Sequence, residues 1–172
     1  MLKIVVTTLL TLAVCGFAAA AEIPQVGQQA PGVVLPSQEG SPINVQNNFK
    51  GKWVVLYFYP KDMTQGCTIE AHGFQTDLPK YEKHNAVIVG VSVDSTGSHQ
   101  EFCAKEGLTF KLLADTEKKV TDSYGSLRPN GMAARNTFLL DPSGKIAQVW
   151  TGVNPSKHSE EVLAALEAHS KH

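Results

Sequence analysis

Cys67 is the residue of this chain with the most chemistry open to it, and its neighbours are spaced to use it. It ends the stretch YFYPKDMTQGC, in which Pro60, Thr64 and Cys67 stand in the pattern PxxxTxxC. The preceding WVVLYFY, Trp53 to Tyr59, is apolar on both faces with no alternation, which predicts a central strand buried on both sides. Pro60 ends the pairing because it has no backbone N–H to give. From Gln65 to Asp77 the pattern turns helical with Thr64 as its cap, so Cys67 falls in the first turn. Unpaired N–H groups and the positive end of the helix dipole favour an anion there, and a thiolate is an anion.

The elements that must position this cysteine are legible on either side of it. Gly32 to Leu35 and Ile43 to Val45 are short strands around the turn-rich PSQEGSP and predict a small hairpin. After the Cys67 helix, Pro79 is expected to begin a second helical piece reaching His84. Ala86 to Val93 (AVIVGVSV) is then the next buried strand. Strand, helix and strand of these lengths make a right-handed βαβ unit. Ser98 followed by Glu101 reads as a capping box opening a helix to Glu106, and Cys103 lies on it. Leu108 to Leu113 is apolar again, and Asp115 to Arg128 reads as short helix and loop. Asn136 to Leu140 and Lys145 to Trp150 flank the turn Asp141-Pro142-Ser143-Gly144, a hairpin. The chain closes with Asn154 as a cap, Pro155 at the first helical position, and Val162, Leu163 and Leu166 on one face of a final helix. Strands interleaved with helices place the chain in the α/β class.

The first residues read as an address rather than as fold. Lys3 supplies a positive start, Ile4 to Phe17 is apolar, and Ala19, Ala20 and Ala21 offer small residues for cleavage before Glu22. An apolar run of roughly 14 residues is short for a membrane span, which needs about 20. The expectation is a signal peptide over residues 1–21, export to a periplasm, and a single domain over 22–172 with no stable membrane association. Lipidation at Cys15 is the alternative, against which Val14 occupies the place where a lipoprotein signal needs a small residue. A net charge of −1 gives no basic footprint for nucleic acid and no acidic tail. Of three cysteines, Cys67 and Cys103 survive removal of the leader, an even number in an oxidising compartment. A bridge between them is open to two readings, one catalytic and one inert, the inert one worth about 4 kcal/mol by loop closure.

The PxxxTxxC context resembles the active-site signature of the peroxiredoxins, thiol peroxidases that reduce hydroperoxides with a cysteine thiolate. The resemblance covers nearly all of the mature chain, through VGQQAPGVVLP, FKGKWVVLYFYPKD, GCTIEAHGF and RNTFLLDPSGKI, and fits best the peroxiredoxin Q branch, also called bacterioferritin comigratory proteins. It implies a thioredoxin-like fold, a central mixed sheet flanked by helices, with an N-terminal β-hairpin. In that fold the strand after Arg135 runs antiparallel to Trp53–Tyr59, which sets Arg135 facing Cys67. A guanidinium there favours the charged form of the thiol, and its fork of donors can hold two peroxide oxygens.

The same resemblance implies roles. Cys67 is the peroxidatic cysteine, Thr64 and the Cys67 N–H hold the peroxide, Pro60 shields the sulfur from water, and Glu70 repeats the acid found three residues after that cysteine. Two positions depart from the usual pattern: His72 stands where many members carry a second cysteine, and Gln65 where proline is usual. A subset of the branch places the resolving cysteine on the following helix, where this chain has FCAKEGL, and Cys103 fits that subset. The disulfide would be reduced by a thioredoxin-like dithiol protein, with no metal or organic cofactor, in a monomer.

Thiolate formation alone does not make such an enzyme. Bringing a cysteine from about 8.5 to about 6 raises its thiolate fraction at neutral pH about thirtyfold. The accompanying fall in nucleophilicity leaves a net gain of roughly two- or threefold. The transition state must be stabilised as well, by donors aimed at the breaking O–O bond. Blander readings exist for each residue: Glu70 as a solvated helical acid, Arg135 as a surface charge, His72, His84 and His99 as surface histidines, Trp53 and Trp150 as core. A dithiol reductase on the same fold needs CxxC, but residue 70 is Glu. An exported metal-binding or copper-delivery module needs CxxxC, and Ala71 takes that place.

Overall fold

The structure, a computed structural model, describes residues 21–171. The expected leader and Cys15 lie outside the described residues, apart from Ala21. The first elements, β1 (Val34–Pro36) and β2 (Pro42–Asn44), pair antiparallel as the expected hairpin. Val45 does not extend β2 but opens a single turn, α1 (Val45–Asn48), because the Asn44 side chain accepts the Asn47 N–H at 3.1 Å and caps it.

Five strands form the main sheet: β3 (Trp53–Phe58), β4 (Ala86–Ser92), β5 (Lys111–Ala114), β6 (Asn136–Leu140) and β7 (Ile146–Thr151). Their order is β5-β4-β3-β6-β7, with β3 in the middle. β3 pairs parallel with β4 and antiparallel with β6, so the sheet is mixed. Val55, Tyr57 and Tyr59 point to one face of the sheet, and Val54, Leu56 and Phe58 to the other. The first face is covered by α2 (Gln65–Lys83), α3 (Thr96–Glu106) and α5 (His158–His169), through Phe74, Tyr81, Phe102, Val162 and Leu166. The second is covered by the hairpin, α1 and α4 (Lys119–Ser123), through Val33, Val45, Val120 and Tyr124. A strand buried on both faces needs no alternation, which is why Trp53–Tyr59 shows none.

Several elements differ from expectation for identifiable reasons. Pro79 does not divide the helix; α2 runs unbroken across it. Pro79 is exposed, and the buried stripe of Phe74, Asp77 and Tyr81 is tied down on both sides of it. Tyr81 Oη donates to the Ser159 carbonyl at 2.6 Å, and Ser159 Oγ donates to Asp77 at 2.8 Å. Tertiary anchorage outweighs the lost backbone bond. α3 begins at Thr96, capped by Ser95, whose Oγ accepts the Ser98 N–H at 3.2 Å; Ser98 is therefore not the cap. α5 begins at His158, because the Asn154 side chain instead closes a turn by accepting from the Ser156 N–H and hydroxyl. Trp53 and Trp150 are half-buried at the margin of the core rather than within it.

Candidate active site

The end of β3 is fixed by a last bond from the Tyr59 N–H to the Val91 carbonyl at 3.1 Å, after which Pro60 has none to give. The chain then turns sharply. Met63 takes a left-handed conformation at φ 58°, an unusual one for a side chain of its size. Thr64 follows in the extended geometry of an N-cap, yet its hydroxyl does not cap α2; it donates back to the Lys61 carbonyl at 3.0 Å. With no side chain capping the first turn, its N–H groups stay available to an anion. Cys67 sits in that turn, 1% exposed.

β6 delivers the cation. Its antiparallel register sets Thr137 opposite Tyr57, so Arg135, just before β6, emerges where β3 ends. Arg135 Nη2 donates to Cys67 Sγ at 3.3 Å, and Nη1 donates to Glu70 Oε2 at 2.6 Å. One planar fork thus reaches both side chains of α2, and the carboxylate fixes the plane in which it meets the sulfur. Glu70 is fully buried, not a solvated acid, and Arg135 is not a surface charge.

Two residues here escaped sequence reading. Gly66 is one: a Cβ there would lie 2.7 Å from Arg135 Nη2 and would push the guanidinium aside. Tyr57 is the other. Its hydroxyl is buried without a hydrogen-bond partner, and burial, with the charges of Glu70, Cys67 and Cys103 adding, pushes it well above the usual phenol range. Its ring lies tilted against Phe74, centroids 4.8 Å apart, and over Gly90, where a Cβ would come within 2.8 Å of the ring.

The charge balance around the guanidinium is close. Burial raises the Glu70 carboxyl to about 7 although Arg135 pulls it down. Near neutrality the acid is therefore divided between its two forms. When it is protonated, the guanidinium serves the sulfur alone.

Cys103 lies on α3, half-buried, and both it and Cys67 are free thiols. Burial, with the Asp62 carboxylate next, pushes its thiol up to about 11. Beside it is a polar cluster that the sequence did not announce. Asp62, 5% exposed, accepts from Tyr59 Oη at 2.7 Å, Ser98 Oγ at 2.6 Å and His99 Nδ1 at 2.8 Å. His99 is thus wholly buried, correcting its expected place at the surface, while His72 is exposed and His84 half-exposed. Burial alone would raise the Asp62 carboxyl, but His99, Ser98 and Tyr59 outweigh it and hold it below the usual carboxylate range. The signal was present in the spacing of His99 and Cys103, one helical turn apart on the same side of α3.

A sheet with this order, carrying a buried cysteine in the first turn of a helix and an arginine from the neighbouring antiparallel strand, defines a thiol-reactive protein of thioredoxin-like fold. Residues 26–149 match the AhpC/TSA family, and the chain belongs to it. Peroxiredoxin Bcp of Xanthomonas campestris is 43% identical over 128 residues, 70% of this chain and 80% of that protein. The crystal structure of a cysteine-to-serine mutant of Xylella fastidiosa PrxQ superposes with a TM-score of 0.81 at 33% identity, covering 87% of this chain and 99% of that one. Structures of the Xanthomonas campestris bacterioferritin comigratory protein, concerned with its alkyl peroxide reduction activity, match with a TM-score of 0.76 at 37% identity, over 80% of this chain and 92% of that one. Peroxiredoxin Q of the same organism has been solved with either of two cysteines changed to serine, and those two stand as far apart in its sequence as Cys67 and Cys103 do here.

Proposed function

We propose that this thiol-dependent peroxidase works through Cys67 as the attacking sulfur and Cys103 as the resolving one. The observation that carries this is the Arg135 fork, bonded to Cys67 Sγ at 3.3 Å and held in plane by Glu70 at 2.6 Å. The Cys67 thiolate attacks one oxygen of a hydroperoxide. The O–O bond breaks, its electron pair leaves with the far oxygen, and that oxygen takes a proton to depart as water or an alcohol. Arg135 and the first-turn N–H groups are the donors for the two oxygens, the Thr64 hydroxyl, its own proton given to the Lys61 carbonyl, accepts from the peroxide O–H, and Pro60 walls the sulfur from water. Cys67 is left as a sulfenic acid. Cys103 then loses its proton and attacks that sulfur, the S–O bond breaks, and hydroxide leaves as water with the proton. A thioredoxin-like dithiol protein returns the disulfide to two thiols while its own pair is oxidised. The paired cysteine mutants of the Xanthomonas protein support the assignment of Cys103.

The reading extends to hydrogen peroxide and organic hydroperoxides as substrates and to a monomer as the working form. It places residues 1–21 as an export signal and the domain over 22–172 in the periplasm, which a mature chain beginning at Glu22 would bear out by mass. The metal-delivery reading is not favoured, since the guanidinium bonded to the Cys67 sulfur is itself a cation and repels a metal ion.

The paired variants Cys67→Ser and Cys103→Ser test the mechanism. In the first, peroxide consumption is expected to vanish with the fold intact; near wild-type activity overturns the proposal. In the second, one equivalent of peroxide is still consumed and the sulfenic acid is trapped by a dimedone-type reagent. Normal turnover with a dithiol protein would instead make the mechanism a one-cysteine one.

A further inference from the structure

If Cys103 resolves Cys67, the two sulfurs must bond, and a disulfide needs Cα atoms within about 7 Å. In the folded protein both thiols are free and sit on two separate helices. One helix must yield, and α3 is the more weakly seated. Among its eleven residues only His99 and Phe102 are buried. Phe102 supplies an apolar anchor in the cluster with Tyr59. The rest of the hold is polar: a buried cluster at the first turn and, at the far end, Glu106, 3.0 Å from the exposed His72 of α2.

At the first turn that hold centres on one carboxylate, with Tyr59 Oη also 3.3 Å from His99 Nδ1. Ser98 Oγ donates to Asp62 Oδ2 at 2.6 Å, and His99 Nδ1 lies 2.8 Å from the same oxygen. Asp62 is in turn fixed from behind, where its N–H donates to Asp94 Oδ2 at 2.9 Å and Tyr59 Oη donates to its Oδ1 at 2.7 Å. Asp94 is itself held by Ser92 Oγ at 2.7 Å. Asp62 belongs to the loop between Pro60 and Thr64, so the first turn of the resolving helix is pinned directly to the loop that leads into the attacking cysteine's helix. Hydrogen bonds to an ionised group are the stronger kind. Against them, His99 Nε2 is buried with no partner, an unfavourable state that ends when the helix leaves its seat.

We propose that Ser98 and His99, acting through Asp62, are positioning residues for the resolving step, and that breaking their bonds to this carboxylate sets how fast Cys103 reaches Cys67. The proposal rests on the reading of Cys103 as the resolving residue. It says more than that reading, because it names the contacts whose rupture limits the rate. While they hold, α3 keeps Cys103 half-buried as a neutral thiol, and the sulfenic acid of Cys67 waits. Once they break, the turn bearing Cys103 is free to unwind, since little apolar surface retains it.

The test is a single turnover of the full mature protein with one equivalent of hydrogen peroxide, comparing wild type with Ser98→Ala and His99→Gln. Peroxide loss is followed in one channel, and the Cys67–Cys103 disulfide, by quenched alkylation and mass, in the other. The expected result is an unchanged rate of peroxide loss and disulfide formation faster by about tenfold, the rate equivalent of about 1.4 kcal/mol. Amide exchange over α3 in the reduced variants should rise in step. An unchanged or slower disulfide rate beside a normal first step overturns the proposal and leaves the Cys103 reading intact. Loss of the first step as well overturns it too, by making the cluster a support of the attacking site. A wild type that forms no Cys67–Cys103 disulfide overturns instead the reading on which the proposal stands.

Discussion

Around Cys67, α2 buries Glu70, Ala71, Phe74, Asp77 and Tyr81 beside the cysteine itself, whereas α3 around Cys103 buries only His99 and Phe102. Cys67 Sγ meets a guanidinium at 3.3 Å, and Cys103 lies near the Asp62 carboxylate. Each arrangement suits the step proposed for it. A nucleophile that must meet a peroxide in one geometry gains from a rigid helix and a fixed cation, because alignment and charge stabilisation are paid in advance of the reaction. A second thiol that must travel gains from a loosely seated helix, and from staying neutral until it has moved.

The largest break in this comparison is expected at Arg135. Arg135→Lys keeps a positive charge near Cys67 but loses the two-pronged donor, so it cannot bond the sulfur and Glu70 in one plane. The second-order rate with hydrogen peroxide should fall about a hundredfold, the scale of removing one donor from a developing oxyanion. Thiolate content, read from ultraviolet absorbance, should fall much less. Equal losses in both would mean that Arg135 acts only on the ionisation of the thiol. A smaller break is expected at Gly66. In Gly66→Ala the added Cβ would sit 2.7 Å from Arg135 Nη2, so the guanidinium must withdraw while every catalytic side chain remains present. A loss of about tenfold in peroxide rate, with resolution by Cys103 unaltered, is the expected result. A variant as fast as wild type would show that the close approach is not needed.

The sequence made the attacking side of this comparison far more legible than the resolving side. Trp53 to Tyr59 announced a doubly buried strand by its lack of alternation, and Pro60 and Thr64 bounded the turn. Arg135 could then be set opposite Cys67 only with the strand direction that the family resemblance supplied, which the register of β3 and β6 bears out. The strand and turn are local patterns, which a sequence carries openly. What stayed hidden depends on where a side chain ends up in three dimensions. His99 is a surface histidine by composition and a buried one by contact with Asp62, a residue far away in the chain. Pro79 reads as a helix break until Tyr81 and Asp77 are seen tied to Ser159. Gly66 reads as flexible spacing, and only the guanidinium beside it explains the missing Cβ. His158, also unforeseen, is buried between Phe74 and Trp150 with Nε2 2.7 Å from Thr137 Oγ1, and burial lowers it to about 4.

The finest test of the attacking side is Glu70→Gln, which keeps shape and removes a single ionisation. Burial raises this carboxyl from its ordinary 4.5 to about 7 despite Arg135. The folded protein therefore binds this proton more tightly than the unfolded chain. Its contribution to stability is complete below pH 4.5 and is lost as pH rises through about 7, by about 3 kcal/mol. Over that window Glu70→Gln should lose less stability with rising pH than wild type, as read by denaturant melts at a series of pH values. The kinetic consequence follows from the single charge on Arg135. Above about pH 7 wild-type Glu70 is ionised and shares the guanidinium with the sulfur, whereas glutamine leaves that charge to Cys67 at every pH. The peroxide rate of wild type should carry an inflection near 7 that the variant lacks, the two differing by a few-fold on the alkaline side. If the variant keeps the same inflection, another group titrates there, and Glu70 serves Arg135 by geometry alone.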